Sequence, residues 1–183
     1  MTPRVDGEPA GPATGPVRPS RDDAPPWHRR WWFLVPALLV AYVALSFVND
    51  PRGSLGTDTG GKTATVKVMS ERGDFSPDVG SWAGAADDPP TVHGLIFTTK
   101  IGDRDVQVTT LPMVLAARPL WDVAGYRGAL LLPMLGAVLA ALAARAIARR
   151  LGDGDGAVAF WVMGLASPVL LYALDLWEHS LGL

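Results

Sequence analysis

Two short stretches of this 183-residue chain hold the residues best suited to chemistry. The first is Thr57-Asp58-Thr59-Gly60-Gly61-Lys62. A carboxylate can take the proton from a hydroxyl as that hydroxyl attacks. Paired glycines let backbone N–H groups approach an anion, and a lysine supplies the counter-charge. Asp58 is therefore the candidate catalytic base and Lys62 a candidate substrate-binding residue. The spacing is not that of a Walker loop, and no strand pattern precedes it. The same residues also fit a helix start, with Asp58 or Thr59 capping a helix over 59–70 that Gly73 ends.

The second stretch is Tyr172-Ala173-Leu174-Asp175-Leu176-Trp177-Glu178-His179. On a continuous helix, Tyr172, Asp175, Glu178 and His179 stand at i, i+3, i+6 and i+7 and share one face. Three ionisable groups facing lipid are costly, so that face is expected to turn to a polar cavity or the aqueous rim and to bind substrate. An ordinary interfacial helix end, with Tyr172 and Trp177 in an aromatic belt, is the alternative. Asp, Glu and His can ligate a metal, but the pattern is no zincin signature. No metal ligand and no cofactor is assigned, and a divalent-metal requirement stays open. Asp74 with Asp78, and Asp103 with Asp105, read as solvated turns rather than cation sites. His93 has no partner visible in the sequence.

These stretches must be positioned by the elements around them. Uncharged apolar runs lie at 33–48, 128–144 and 156–174. Eighteen helical residues rise about 27 Å, close to the roughly 30 Å hydrocarbon core of a bilayer. The expected fold is all-α and membrane-integral, with three transmembrane helices at 31–48, 127–150 and 156–179. A long extracytoplasmic loop, 49–126, carries short surface helices. Within it, Leu111, Val114 and Leu115, then Leu120 and Trp121, suggest a second amphipathic piece broken near Pro119. Residues 1–30 are rich in Pro, Gly, Arg and Asp without apolar period, which predicts a disordered tail.

Arg29 and Arg30 before the first run, and Arg145, Arg149 and Arg150 after the second, place those ends in the cytoplasm by the positive-inside rule. The protein is thus expected in the plasma (inner) membrane as a multi-pass chain with a cytoplasmic N-terminus. Its first partner is the lipid bilayer. Asp58 and the 175–179 segment then emerge on the same outer face, although about 120 residues separate them. A net charge of −2 gives no basic field for nucleic acid. The absence of cysteine excludes disulfides, thiol nucleophiles and thiolate metal sites.

Three stretches carry a family resemblance. They are Leu55-Gly56-Thr57-Asp58-Thr59-Gly60-Gly61-Lys62; Thr109-Thr110-Leu111-Pro112-Met113-Val114 through Tyr126-Arg127-Gly128-Ala129-Leu130-Leu131-Leu132-Pro133; and Ala166-Ser167-Pro168-Val169-Leu170-Leu171-Tyr172. Over residues 31–183 the chain resembles the N-terminal part of membrane glycosyltransferases of the GT-C superfamily, the protein-mannosyltransferase-like group. The resemblance implies that Asp58 is the loop carboxylate that activates the acceptor. It implies a donor sugar carried on a polyprenyl phosphate and transfer at the outer membrane face. The family often has two adjacent acids here, whereas Thr57 and Thr59 flank Asp58. It also has many more spans, and residues 180–183 read as the start of a continuation, so the chain is expected to be the front portion of such an enzyme. A non-enzymatic three-span subunit or anchor with an external binding segment is the alternative expectation.

Overall fold

The computed structural model describes residues 31–48, 57–80, 98–107, 111–152 and 154–182. The expected tail at 1–30 and His93 lie outside them. The described chain is mostly helical. Its elements are α1 (Trp31–Ser46), α2 (Thr57–Arg72), β1 (Thr98–Ile101), β2 (Arg104–Gln107), α3 (Leu111–Ala129), α4 (Leu131–Arg150), α5 (Ala157–Leu165) and α6 (Val169–Ala173), followed by a 3₁₀ turn at Glu178–Ser180.

Helix α4 is the centre of one layer. Met134, Ala137, Val138 and Ala141 follow the i, i+3, i+4, i+7 stripe of an inward helix face. They are buried with Leu38 and Tyr42 of α1, Phe160 of α5, and Val169 and Ala173 of α6. Leu135, Leu139 and Ile147 of α4 point outward with Phe33 and Val40 of α1, Phe47 just after it, and Val158 and Val162 of α5. Such a broad exposed apolar surface matches hydrocarbon rather than water. By length and composition α4 is the one described helix able to cross a membrane. Helix α1 is apolar throughout but only 16 residues long.

The third expected span is not one helix. It breaks between α5 and α6, and helix ends at Ala173. Pro168 is the cause: it has no N–H to donate to the carbonyl of Gly164 four residues back. That carbonyl accepts instead from the Tyr42 hydroxyl at 2.8 Å. Ser167 closes the rest of the joint. Its Oγ donates to the Met163 carbonyl at 2.6 Å and accepts from the Val169 N–H at 3.2 Å. Tyr42→Phe would leave the Gly164 carbonyl buried and unpaired, a loss of about 1–3 kcal/mol. Thermal unfolding of the purified protein should show a lowered midpoint with no change in helix content at 20 °C.

A second layer caps one end of the first. Val66 and Met69 of α2 pack on Met113, Val114 and Ala117 of α3, and both meet Ala129 and Leu176 at the end of the bundle. Helix α2 brackets the expected 59–70 segment and stops before Gly73, whose φ is +69°. Helix α3 runs through Pro119 instead of breaking there. Its kink lies at Ala124–Gly125, where Gly125 has φ +60°. Gly128 lies across that kink, where a Cβ would come within 2.0 Å of the Leu120 carbonyl oxygen.

The loop is not purely helical. Strands β1 and β2 form an antiparallel hairpin with Ile101 opposite Arg104 and Thr98 opposite Gln107. The two-residue connection is Gly102-Asp103, with Gly102 at φ +65°. This adds a two-stranded hairpin to the all-α expectation; Asp103 does lie in its exposed turn, whereas Asp105 pairs with Lys100 within the hairpin.

Candidate functional site

Asp58 does not cap α2 from outside; it lies in the helix's first turn. A carboxylate there meets the positive end of the helix dipole. One turn on, Lys62 faces it, and Lys62 Nζ donates to Asp58 Oδ2 at 2.6 Å. The same ammonium donates to Glu178 Oε2. Lys62 is fully buried, whereas the side chains of Asp58 and Glu178 are 20% and 31% exposed. The result is a sunken cation bridged by two carboxylates at the rim.

The structure thus brings Asp58, Lys62 and Glu178 together across 116 residues between Lys62 and Glu178. It does so by a different geometry from the shared helix face. Trp177 is extended, with φ −114° and ψ 135°, and turns the chain out of helix before Glu178. Asp175 is left out: its Oδ1 accepts from the Leu176 N–H at 2.9 Å. Tyr172 and His179 stay together, their rings stacked at 5.4 Å and 23°. Trp177 completes this aromatic group, 5.6 Å from Tyr172 and 5.0 Å from His179. Lys62, expected as a counter-charge for an anionic substrate, neutralises Glu178 and Asp58 instead.

Two further residues belong to this end of the molecule. Gln107, the last residue of β2 and buried, donates its Nε2 to the Asp58 carbonyl at 3.0 Å and to Asp58 Oδ1 at 3.2 Å. Its sequence signal is weak, a lone amide after four residues of hairpin. Arg127, near the end of α3, stacks its guanidinium over the Phe47 ring at 4.3 Å, joining α3 to the residue that follows α1. Its Nε is buried with no partner among the described residues. The signal for Arg127 is physical: it is the last charge before the uncharged apolar run at 128–144.

A second polar knot ties the hairpin to α2. Asp78 is buried; its Oδ2 meets Arg72 at 2.6 Å, and its Oδ1 accepts from the N–H of Gly80 at 2.9 Å and of Asp105 at 3.3 Å. Burial pushes this carboxyl's pKa up. The Gly80 N–H, the Arg72 hydrogen bond, the Asp105 N–H and the Arg72 charge together outweigh it, leaving the pKa below the ordinary 3.8. Because the folded value is depressed, the stabilisation is complete above about pH 4 and disappears as pH falls through the lower folded value. Asp78→Asn should therefore lower the melting midpoint by about 2–4 °C at pH 7. The gap to wild type should narrow below pH 4, as read by melts across pH 2–7.

No group of three or more His, Asp or Glu among the described residues is placed to hold a metal ion. Comparison with known proteins finds no matching family, no matching characterised protein and no matching solved structure.

Proposed function

We propose that the chain supplies the outer-face carboxylate centre of a membrane glycosyltransferase that moves a sugar from a polyprenyl-phosphate donor to an acceptor hydroxyl. The observation that carries the reading is Asp58: a partly exposed carboxylate, fixed by Lys62 and Gln107, at the end of an apolar helix bundle. In the reaction, Asp58 takes the proton of the acceptor hydroxyl as its oxygen bonds to the anomeric carbon. The bond from that carbon to the phosphate oxygen breaks, and polyprenyl phosphate leaves with the electron pair. Arg127, at the outer start of the second span and without a partner on Nε among the described residues, suits the leaving phosphate. The resemblance to the GT-C group supplies the substrate class. The aromatic group of Tyr172, Trp177 and His179 offers ring faces beside Glu178 for a sugar.

The same reading keeps three membrane crossings: α1, α4, and the broken pair α5 and α6. The satisfied joint at Ser167 makes a break tolerable at membrane depth. A reporter fused after Asp155 should behave as cytoplasmic and one near Asp88 as external; the reverse pattern would overturn the topology. The activity test is reconstitution of the full chain in vesicles with radiolabelled mannosyl polyprenyl phosphate. Label reaching a hydroxyl acceptor in wild type and not in Asp58→Asn supports the enzyme.

A second reading has its own observation. Lys62 is fully buried with both carboxylates satisfied, which also describes a clasp holding α2 to the end of the third apolar segment in a non-enzymatic anchor. Full retention of partner binding and absence of transfer in every reconstitution would favour it.

A further inference from the structure

We infer that Gln107 is the positioning residue of the Asp58 carboxylate, an inference that rests on Asp58 being the base. Asp58 offers Gln107 two acceptors, its own carbonyl and Oδ1, and Nε2 reaches both at 3.0 and 3.2 Å. Two acceptors fix which way the amide must face, because the reverse orientation would set oxygen against oxygen. The consequence is visible at the other end of the amide: Oε1 is buried without a partner among the described residues. An unsatisfied buried acceptor opposes folding, so a residue chosen for stability alone would not leave one.

The neighbouring helix is shaped to admit this amide. A Cβ at Gly61 would stand 2.7 Å from Gln107 Nε2 and 2.8 Å from its Cδ. Glycine in a helix interior costs about as much as any residue but proline, so its presence needs a reason, and the flat face it gives Gln107 is one. Asp58 is therefore held from two sides. Lys62 takes Oδ2 from below, and Gln107 takes Oδ1 from the hairpin. With both oxygens tied, the carboxylate has one fixed orientation in which to receive a proton.

The test uses the full chain and two readouts. The first is modification of Asp58 by a water-soluble carbodiimide with glycinamide, located by peptide mass spectrometry, with exposed Asp122 as the internal standard. In Gln107→Met the hydrogen bond is lost at nearly constant side-chain length, and Asp58 should react about tenfold faster relative to Asp122. Gly61→Ala should have the same direction of effect, because its methyl displaces the amide while raising helix propensity. Neither variant should melt below wild type. Unchanged Asp58 labelling in both would overturn the inference.

The second readout is the pH profile of mannosyl transfer from polyprenyl phosphate. In Gln107→Glu the new side chain opposes Asp58 when ionised and donates to it when protonated, so activity should recover toward acid pH; a purely structural role predicts a profile of unaltered shape, which would also overturn the inference. Loss of transfer in Asp58→Asn alongside wild-type labelling and rate in Gln107→Met removes the role of Gln107 alone. A wild-type chain that transfers nothing while Gln107→Met still releases Asp58 to labelling removes the transferase reading and leaves the positioning contact standing.

Discussion

Asp58→Asn should reduce sugar transfer by about two to four orders of magnitude, the usual contribution of a general base. The size of the effect follows from what the substitution spares. Asparagine keeps the volume and retains an oxygen that can accept from Gln107. Lys62 loses one carboxylate but keeps the other, because Glu178 also accepts from its ammonium. The folded state should therefore lose only about 1 kcal/mol, or a midpoint shift of roughly 2–4 °C for a chain of this size. Position in the helix adds little to that. Asp58 lies inside the first turn rather than at the cap, so only its charge against the helix dipole is removed. The paired measurement is initial transfer rate and melting midpoint on the same preparation. A rate within a factor of about three of wild type would return Asp58 to a purely structural part of the clasp.

Lys62→Met should produce the largest stability change. Methionine fills most of the same volume, so the cavity left is small, and the effect isolates the charge. What remains is two carboxylates directed at one buried point with no cation between them. Breaking a buried ion pair from one side costs about 3–5 kcal/mol, and partial exposure of both acids brings this to the lower end. The expected loss is about 3 kcal/mol, with α2 detaching before the α1–α4–α5 core. Hydrogen exchange should show this as deprotection of Ala64 to Met69 ahead of Leu130 to Ala141. The double variant Lys62→Met with Glu178→Gln should recover part of the loss, since it removes one of the two stranded charges. No recovery would mean that Lys62 acts through packing alone.

The mostly helical character was legible in the sequence, whereas only one of the three expected spans is a helix long and apolar enough to cross a membrane, and the limits have physical causes. Helix α2 was readable as a segment over 59–70 stopped by Gly73, although it starts at Thr57 and takes Asp58 into its first turn. The i, i+4 pairing of Asp58 with Lys62 was not legible, because Lys62 reads as a counter-charge for an anionic substrate. A helix with Thr59, Thr63 and Thr65 buried does not announce itself by hydrophobic period, because small polar side chains bury as easily as they solvate. The hairpin was missed for a related reason. Its strands are four residues each, and β1 is largely exposed, so no alternation rises above its surroundings. Pro168 was visible, but whether a proline kinks a span or ends it depends on what takes the freed carbonyl. Here that is Tyr42, from a helix 122 residues away. The face question was decided nearby: helix ends at Ala173, so Asp175 and Glu178 do not share the helical register of Tyr172, and extended Trp177 separates them. The meeting of Asp58 with the end of the third apolar segment was inferable from topology, but the bridging lysine and the Gln107 contact are products of tertiary packing.

Helix α2 carries two lysines paired with acids at opposite extremes of burial. Lys67 and Glu71 stand 3.9 Å apart with both side chains more than half exposed. The Lys62 side chain has no exposure, and its two acids are only 20% and 31% exposed. Dissolved ions shorten the range of surface charges to roughly 10 Å at 0.1 M and 3 Å at 1 M, but they cannot enter where water does not. Raising ionic strength should therefore silence the outer pair and leave the inner one intact. The attachment of this helix to the end of the apolar bundle is, in that sense, built to be indifferent to the surrounding salt.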